Sequence, residues 1–257
     1  MFNFENLLLT FIFAIASVLH GISGIGVTLV ATTALASLYP LQHAIILIIF
    51  PSFALNLMTW LIGGERSVWG NFTYYLKHYW LLALMSLLGS ILGVKLLMWV
   101  DSSYILLLLA AVIAFYVISN ALGKKIILPA TTPVLIATGL IAGIVGGSTN
   151  AMSTILLMYL LGSTDDKNTI AKVGNMCYLL GKVAQIIVLR DSLIALPTSD
   201  WLLIGLVTTV SVIFLLFGIR LRHYLSQHRF RQLVLVILTV LGLRVGWQGI
   251  TGLMSLI

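Results

Sequence analysis

Two long apolar stretches of this chain are interrupted by small residues in the same way. One contains His20-Gly21-Ile22-Ser23-Gly24-Ile25-Gly26, within a run from Leu7 to Leu38. The other contains Gly143-Ile144-Val145-Gly146-Gly147-Ser148-Thr149-Asn150, within a run from Val134 to Leu161. A helix broken at membrane depth leaves N–H and C=O groups that lipid cannot satisfy, so each break must be enclosed by protein or line a wet cavity. Breaks at matching places in two halves of a chain are the sequence mark of a transporter's binding site.

The surroundings of both breaks are those of a membrane protein. Hydrophobic residues make up 60% of the chain and charged residues 8%. Successive apolar runs are long enough to cross ~30 Å of hydrocarbon at ~1.5 Å per residue. A soluble domain of this size would have no place for so much apolar surface. The formal charge of +7 raises the question of nucleic acid, but the basic residues sit in short clusters between apolar runs, where the positive-inside bias puts them. Nucleic acid is therefore excluded as a partner. Cys177 is the one cysteine, which rules out an internal disulfide and a thiolate metal cluster. No cofactor or metal is expected. The opening residues Met1-Phe2-Asn3-Phe4-Glu5 lack the basic stretch of a signal peptide, so the first segment is expected to remain in the mature protein.

The chain divides into two halves of four apolar segments each. Residues 1–122 hold the broken run Leu7 to Leu38, then Ala44 to Ile62, Tyr79 to Val100 and Tyr104 to Leu122. Residues 134–257 hold the broken run Val134 to Leu161, then Thr169 to Leu189, Trp201 to Ile219 and Gln232 to Ile250. The linker 123–133 carries a basic pair and two prolines. Gly93-Val94-Lys95-Leu96 ends the third segment of one half, and Gly218-Ile219-Arg220-Leu221 ends that of the other. A second match in the same order as the first points to duplication.

Charge placement then selects how the broken runs lie. If both crossed fully, Arg66, Lys77, Lys124 and Lys125 would face one side and Arg220, Arg222, Arg229 and Arg231 the other, against the positive-inside rule. If each is a re-entrant hairpin, all eight share one face with Lys167, and Glu5, Asp101, Asp191 and Asp200 share the other, with Arg190 as the exception. The expected architecture is an all-α polytopic membrane protein of two inverted repeats. Each repeat is a glycine-broken re-entrant hairpin plus three transmembrane helices, the two hairpin tips meeting near the midplane. Arms of ~15 residues, or ~22 Å, are longer than half a bilayer needs, so they are expected to tilt.

The two-half layout, the Gly-rich break near the start of each half and the Gly-x-(Lys/Arg)-Leu end of each third segment resemble the sulfite exporter TauE/SafE family, also called the toluene-sulfonate uptake permeases. The resemblance covers nearly the whole chain. It implies a multi-pass protein of the cytoplasmic membrane that moves sulfite, an organosulfonate or a related small anion.

The residues themselves agree with an anionic ligand. After each break a half-helix is expected to begin, near Gly24 and near Asn150, with its free N–H groups and positive dipole end towards the membrane centre. His20, Ser23, Ser148, Thr149 and Asn150 would add donors, and Gly24, Gly146 and Gly147 would let backbone approach the ligand. The competing reading of a single glycine cluster is close helix packing. Arg244 and Lys182 lie deep in apolar segments, where a charge commonly costs ~2.5–3.5 kcal/mol, and no Asp or Glu lies at comparable depth. A bound anion is the simplest neutraliser, with carbonyls at a helix break as the alternative. Asn175 and Gln185 share the segment of Lys182 and are expected to line the path; Asn56 is a weaker candidate and Lys172 reads as interfacial.

The same census limits coupling. Only His20 among titratable relay groups sits near a proposed tip, which leaves His20, a substrate carrying its own proton, a sodium ion on free carbonyls, or no coupling. A secondary carrier for a small anion leads, ahead of an anion channel using the same broken helices. A membrane enzyme ranks third, since the chain has no His/Glu metal-ligand motif and no deep carboxylate pair. The partners expected are the anion and the bilayer, with self-association left open.

Overall fold

The computed structural model describes residues 4–24, 27–62, 65–123, 126–221 and 227–255. Ile25, Gly26, Lys124, Lys125 and Arg222 lie outside the described residues, as do the side chains of Glu5, Ser23, Gln227, Arg229 and Arg231. Among the described residues every regular element is a helix: α1 (Phe4–Ser23), α2 (Val27–Ala36), α3 (Leu41–Leu61), α4 (Val68–Trp99), α5 (Ser102–Ala121), α6 (Thr132–Thr149), α7 (Met152–Ser163), α8 (Lys167–Val188), α9 (Arg190–Ile194), α10 (Thr198–Leu221) and α11 (Gln227–Met254). Both broken runs are therefore divided, the first between α1 and α2 and the second between α6 and α7.

The arms of each broken run are unequal, not the even halves expected. They are 20 and 10 residues long in the first and 18 and 12 in the second. The cause is where the backbone turns left-handed. Gly24 has φ 71° and Asn150 has φ 61°, and each ends the helix before it. The Gly24 N–H donates to the His20 carbonyl at 2.6 Å and the Asn150 N–H to the Gly146 carbonyl at 2.9 Å, so both helices close with the same i to i−4 bond. Glycine adopts this conformation freely, and asparagine is the next most tolerant residue.

Six helices are long and apolar enough to cross a membrane: α3, α4, α5, α6, α10 and the part of α11 from Leu235 to Met254. This is the expected number with one exchange. α6 is included, and α8, expected as a span, is not. Lys172, Asn175, Lys182 and Gln185 lower the hydropathy of α8, and all four are buried among other helices. Protein rather than lipid is their solvent. α4 begins well before the expected Tyr79; Ser67 caps it by accepting from the Gly70 N–H at 3.1 Å. Tyr79 instead marks a kink, with φ −120° and ψ 21° inside the helix.

Packing follows small residues. α4 runs along α6, and α1 along α10. At the first contact, a Cβ on Gly147 would fall on the Ser90 carbonyl and one on Gly93 on the Ile144 carbonyl. At the second, a Cβ on Gly21 would fall on the Leu215 carbonyl and one on Gly218 on the Val18 carbonyl. The two backbones touch in both places because no side chain stands between them. α5 packs along α11, and α8 lies against both α3 and α4. Outward faces remain apolar: Leu84, Leu88, Leu92 and Leu96 form one exposed stripe on α4, and Val236, Val240, Leu243 and Trp247 another on α11. Such stripes suit contact with lipid chains.

Candidate functional site at the second helix break

α8 carries the site. Its start is fixed by Asp166, whose carboxylate accepts from the Asn168 and Thr169 N–H groups at 3.0 Å and from the Thr169 hydroxyl at 2.6 Å. These donors, the Thr169 hydroxyl foremost, hold the Asp166 carboxyl below its ordinary range. One turn later, Lys172 is buried rather than interfacial. Its Nζ donates to the Trp60 carbonyl at 3.1 Å and the Ile62 carbonyl at 3.0 Å, at the C-terminal end of α3. A cation there satisfies orphan carbonyls and meets the negative end of the helix dipole.

Further along the same face, α8 reaches both breaks. The Asn175 amide donates to the carbonyl of left-handed Gly24 at 2.8 Å and to the Ala171 carbonyl at 2.8 Å. Seven residues on, Lys182 donates to Asn150 Oδ1 and, at 2.9 Å, to Gln185 Oε1. Gln185 Nε2 donates to the same Asn150 oxygen at 2.8 Å and to the Gly147 carbonyl at 3.1 Å. Asn150 Nδ2 completes the group by donating to Thr32 Oγ1 at 2.9 Å, which ties α2 to the α6–α7 break. Lys182, Gln185, Asn150 and Thr32 are all buried. Among the described residues, two of the three N–H groups of Lys182 are occupied, both by neutral amide oxygens.

A small cavity adjoins this cluster, lined by Thr28, Gly146, Asn150, Met152, Tyr178, Gly181 and Lys182. Thr28 and Met152 stand in the first turns of α2 and α7, so both post-break helices present their N-terminal ends there. The Ala151 side chain offers no cap to α7; the Thr154 N–H turns to the Ala151 carbonyl at 3.3 Å, which leaves those of Met152 and Ser153 for another acceptor. The cavity, of about 10 Å³, has room for roughly one water molecule.

Other expected site residues are disposed differently. Gly146 and Gly147 do not form the turn; Asn150 does, while Gly147 serves the close approach to α4 and lends its carbonyl to Gln185. The Ser148 hydroxyl donates back to Ile144 at 2.9 Å and the Thr149 hydroxyl to Val145 at 2.6 Å, so both hydroxyl hydrogens bond to their own helix. His20 is buried on α1, its Nε2 3.1 Å from Thr59 Oγ1 and apart from the Lys182 cluster. Arg244 is exposed on α11 and does not join the cluster. α11 instead turns Gly242, Gly246 and Gly249 towards Ile113, Ala110 and Leu107 of α5. Residues that sequence reasoning missed are Thr28, Thr32 and Tyr178. The polar pair Thr32-Thr33 inside an apolar half-helix was the available signal for one of them.

The cluster thus places a buried lysine at a helix break, among crossing apolar helices. The profile described as Sulfite exporter TauE/SafE matches residues 9–245. The chain belongs to the TauE/SafE sulfite exporter family. It is accordingly a multi-pass membrane protein of a family that transports sulfur anions. The match takes in both breaks, all of α8 and most of α11, so every residue of the Lys182 cluster lies inside it. Comparison with curated proteins and with solved structures gave no match.

Proposed function

We propose that this TauE/SafE protein is a secondary carrier of sulfite or a closely related sulfur oxyanion in the cytoplasmic membrane, and that the anion binds at Lys182 between the two helix breaks. The observation that carries this reading is a buried lysine whose hydrogen-bond partners among the described residues are neutral amides. Two hydrogen bonds to amide oxygens, at about 1.5–3 kcal/mol each, offset much of a burial cost of about 3–5 kcal/mol but supply no countercharge. The amides orient Lys182 without neutralising it. An anion does both, and it gains the N-terminal ends of α2 and α7 as further donors.

We read the scaffold as two inverted repeats, 1–122 and 134–257, joined by 123–133, each opening with a re-entrant broken hairpin. The support is correspondence of detail. Left-handed Gly24 and Asn150 close their helices alike, and the glycine contact of α4 with α6 recurs between α10 and α1. Each hairpin thus packs on the third segment of the other half. The match to an exporter family supports a carrier rather than a channel.

The test is counterflow of labelled sulfite in proteoliposomes. Wild-type protein is expected to give saturable exchange, and Lys182→Met to lower flux per folded protein at least tenfold, which corresponds to about 1.4 kcal/mol of lost anion binding. Unchanged flux in a folded Lys182→Met variant would remove the site.

A further inference from the structure

We propose that Met152 decides which anions this site accepts; this rests on the carrier reading above. Its side chain fills the space that an oxyanion takes beside Lys182, and what it vacates suits an inorganic sulfur oxyanion but not the carbon chain of an organosulfonate. Met152 is buried at the first position of α7. Two bare glycine backbones make the niche around it. A Cβ on Gly146 would lie 2.6 Å from the Met152 Cβ and 2.8 Å from its Cε, and a Cβ on Gly181 would lie 3.2 Å from that Cε. The thioether thus lies over α6 with its methyl tip against α8. Gly146, Met152 and Gly181 also line the water-sized cavity beside Lys182, so niche and cavity are continuous.

The Ser90 hydroxyl of α4 shares the niche. Ser90 Oγ is 3.3 Å from the place of a Gly181 Cβ, against the same bare spot as the Met152 methyl. It is buried with no hydrogen-bond partner among the described residues. A buried hydroxyl seldom stays unpaired, and a methyl group offers it no acceptor. An oxyanion oxygen in place of that methyl accepts from Ser90. Lys182 and the free N–H groups of Met152 and Ser153 then serve the other oxygens.

Size selection follows from what Met152 vacates. The heavy atoms beyond its Cβ are Cγ, Sδ and Cε, and the adjoining cavity holds roughly one water. Together they match the sulfur and oxygens of sulfite. Methionine is unbranched and flexible, so its side chain leaves the niche by bond rotation without displacing α7. A sulfonate brings the same oxygens plus a carbon chain, for which nothing further is vacated.

The test measures exchange of labelled sulfite in proteoliposomes and its inhibition by unlabelled sulfite and by methanesulfonate, for wild type and each variant. By the ratio of half-inhibiting concentrations, wild type is expected to prefer sulfite about tenfold or more, as one extra methyl group against a full pocket commonly decides. Met152→Ala empties the niche and is expected to lower that ratio about fivefold or more. A side chain that only filled space would weaken both anions alike when truncated. Gly181→Ala adds a methyl to the niche and is expected to weaken sulfite about fivefold; it stands in where Met152→Ala does not fold. Ser90→Ala removes an unpaired polar atom, so the ligand-free protein is expected to keep or gain thermal stability while the sulfite Kd rises about threefold or more. An unchanged ratio in folded Met152→Ala, or unchanged sulfite affinity in folded Gly181→Ala or Ser90→Ala, would overturn the proposal and leave the carrier reading intact. Wild type that takes sulfite and methanesulfonate equally well would do the same. No sulfite exchange in wild type would overturn both.

Discussion

The two helix breaks share a backbone and differ in chemistry. At the first, Gly24 turns left-handed with no side chain, and its carbonyl is held by an amide from α8. At the second, Asn150 makes the same turn and adds a side chain that binds Lys182, Gln185 and Thr32 at once. The same left-handed turn thus serves both breaks, while the second has gathered the polar groups. The difference separates what the fold needs, a left-handed residue, from what the proposed site needs, an amide beside a buried lysine.

The largest effect is expected where both halves depend on the same backbone contact. Gly147→Val and Gly21→Val each place a branched side chain against a carbonyl of the facing helix. Overpacking of this kind costs about 1–3 kcal/mol, and more where the obstacle is backbone. Both variants are expected to lose most of their folded yield by size-exclusion chromatography in detergent. Gly205→Val, where a Cβ meets no atom within 4 Å, is expected to keep it. Loss at Gly147 alone would break the correspondence between the halves.

Exchanging the break residues sharpens the comparison. Gly24→Ala forces a Cβ into the left-handed region, at a cost of about 1–2 kcal/mol in stability. Asn150→Gly keeps that backbone but takes the shared acceptor from Lys182 and Gln185, so stability is expected to change less than sulfite affinity. Denaturation midpoints and sulfite Kd measured on both variants decide the matter. Equal losses in both quantities at both sites would mean that the second break is no more a ligand site than the first.

A smaller effect belongs to the cap of α8. Asp166→Ala is expected to cost about 1 kcal/mol at neutral pH. The folded carboxyl titrates below the unfolded one, so its contribution is present above about pH 4 and fades as pH falls through the folded value. Stability curves of wild type and variant should therefore converge in acid. The smallest effect is at Arg244: exposed on α11 and apart from the cluster, Arg244→Gln is expected to leave sulfite affinity within about twofold. A larger loss would bring Arg244 back to the site.

Much of this was legible in the sequence, for physical reasons that can be named. A glycine cluster or polar triplet inside an apolar run has few uses, and both breaks stand where those clusters are. Lys182, Gln185 and Asn175 were readable as one face of one helix from their spacing. The role of Gly146-Gly147 was not, because glycines serve turns and close contacts equally well and the distinction lies in Ser90, far away in sequence. The aim of Arg244 was equally hidden: the apolar residues of α11 mark no single face, and its rotation is set by the glycines it turns towards α5. Lys172 looked interfacial because its acceptors, the last carbonyls of α3, are contributed by another segment.

The central claim is that the buried ammonium of Lys182 is the anion's charge partner. Isothermal titration of sulfite into purified wild-type protein and Lys182→Met, both confirmed as folded, tests it most directly. The account predicts saturable binding to wild type and at least tenfold weaker binding to Lys182→Met, with Lys172→Met showing no comparable loss where it folds. Equal affinity of wild type and Lys182→Met would contradict it.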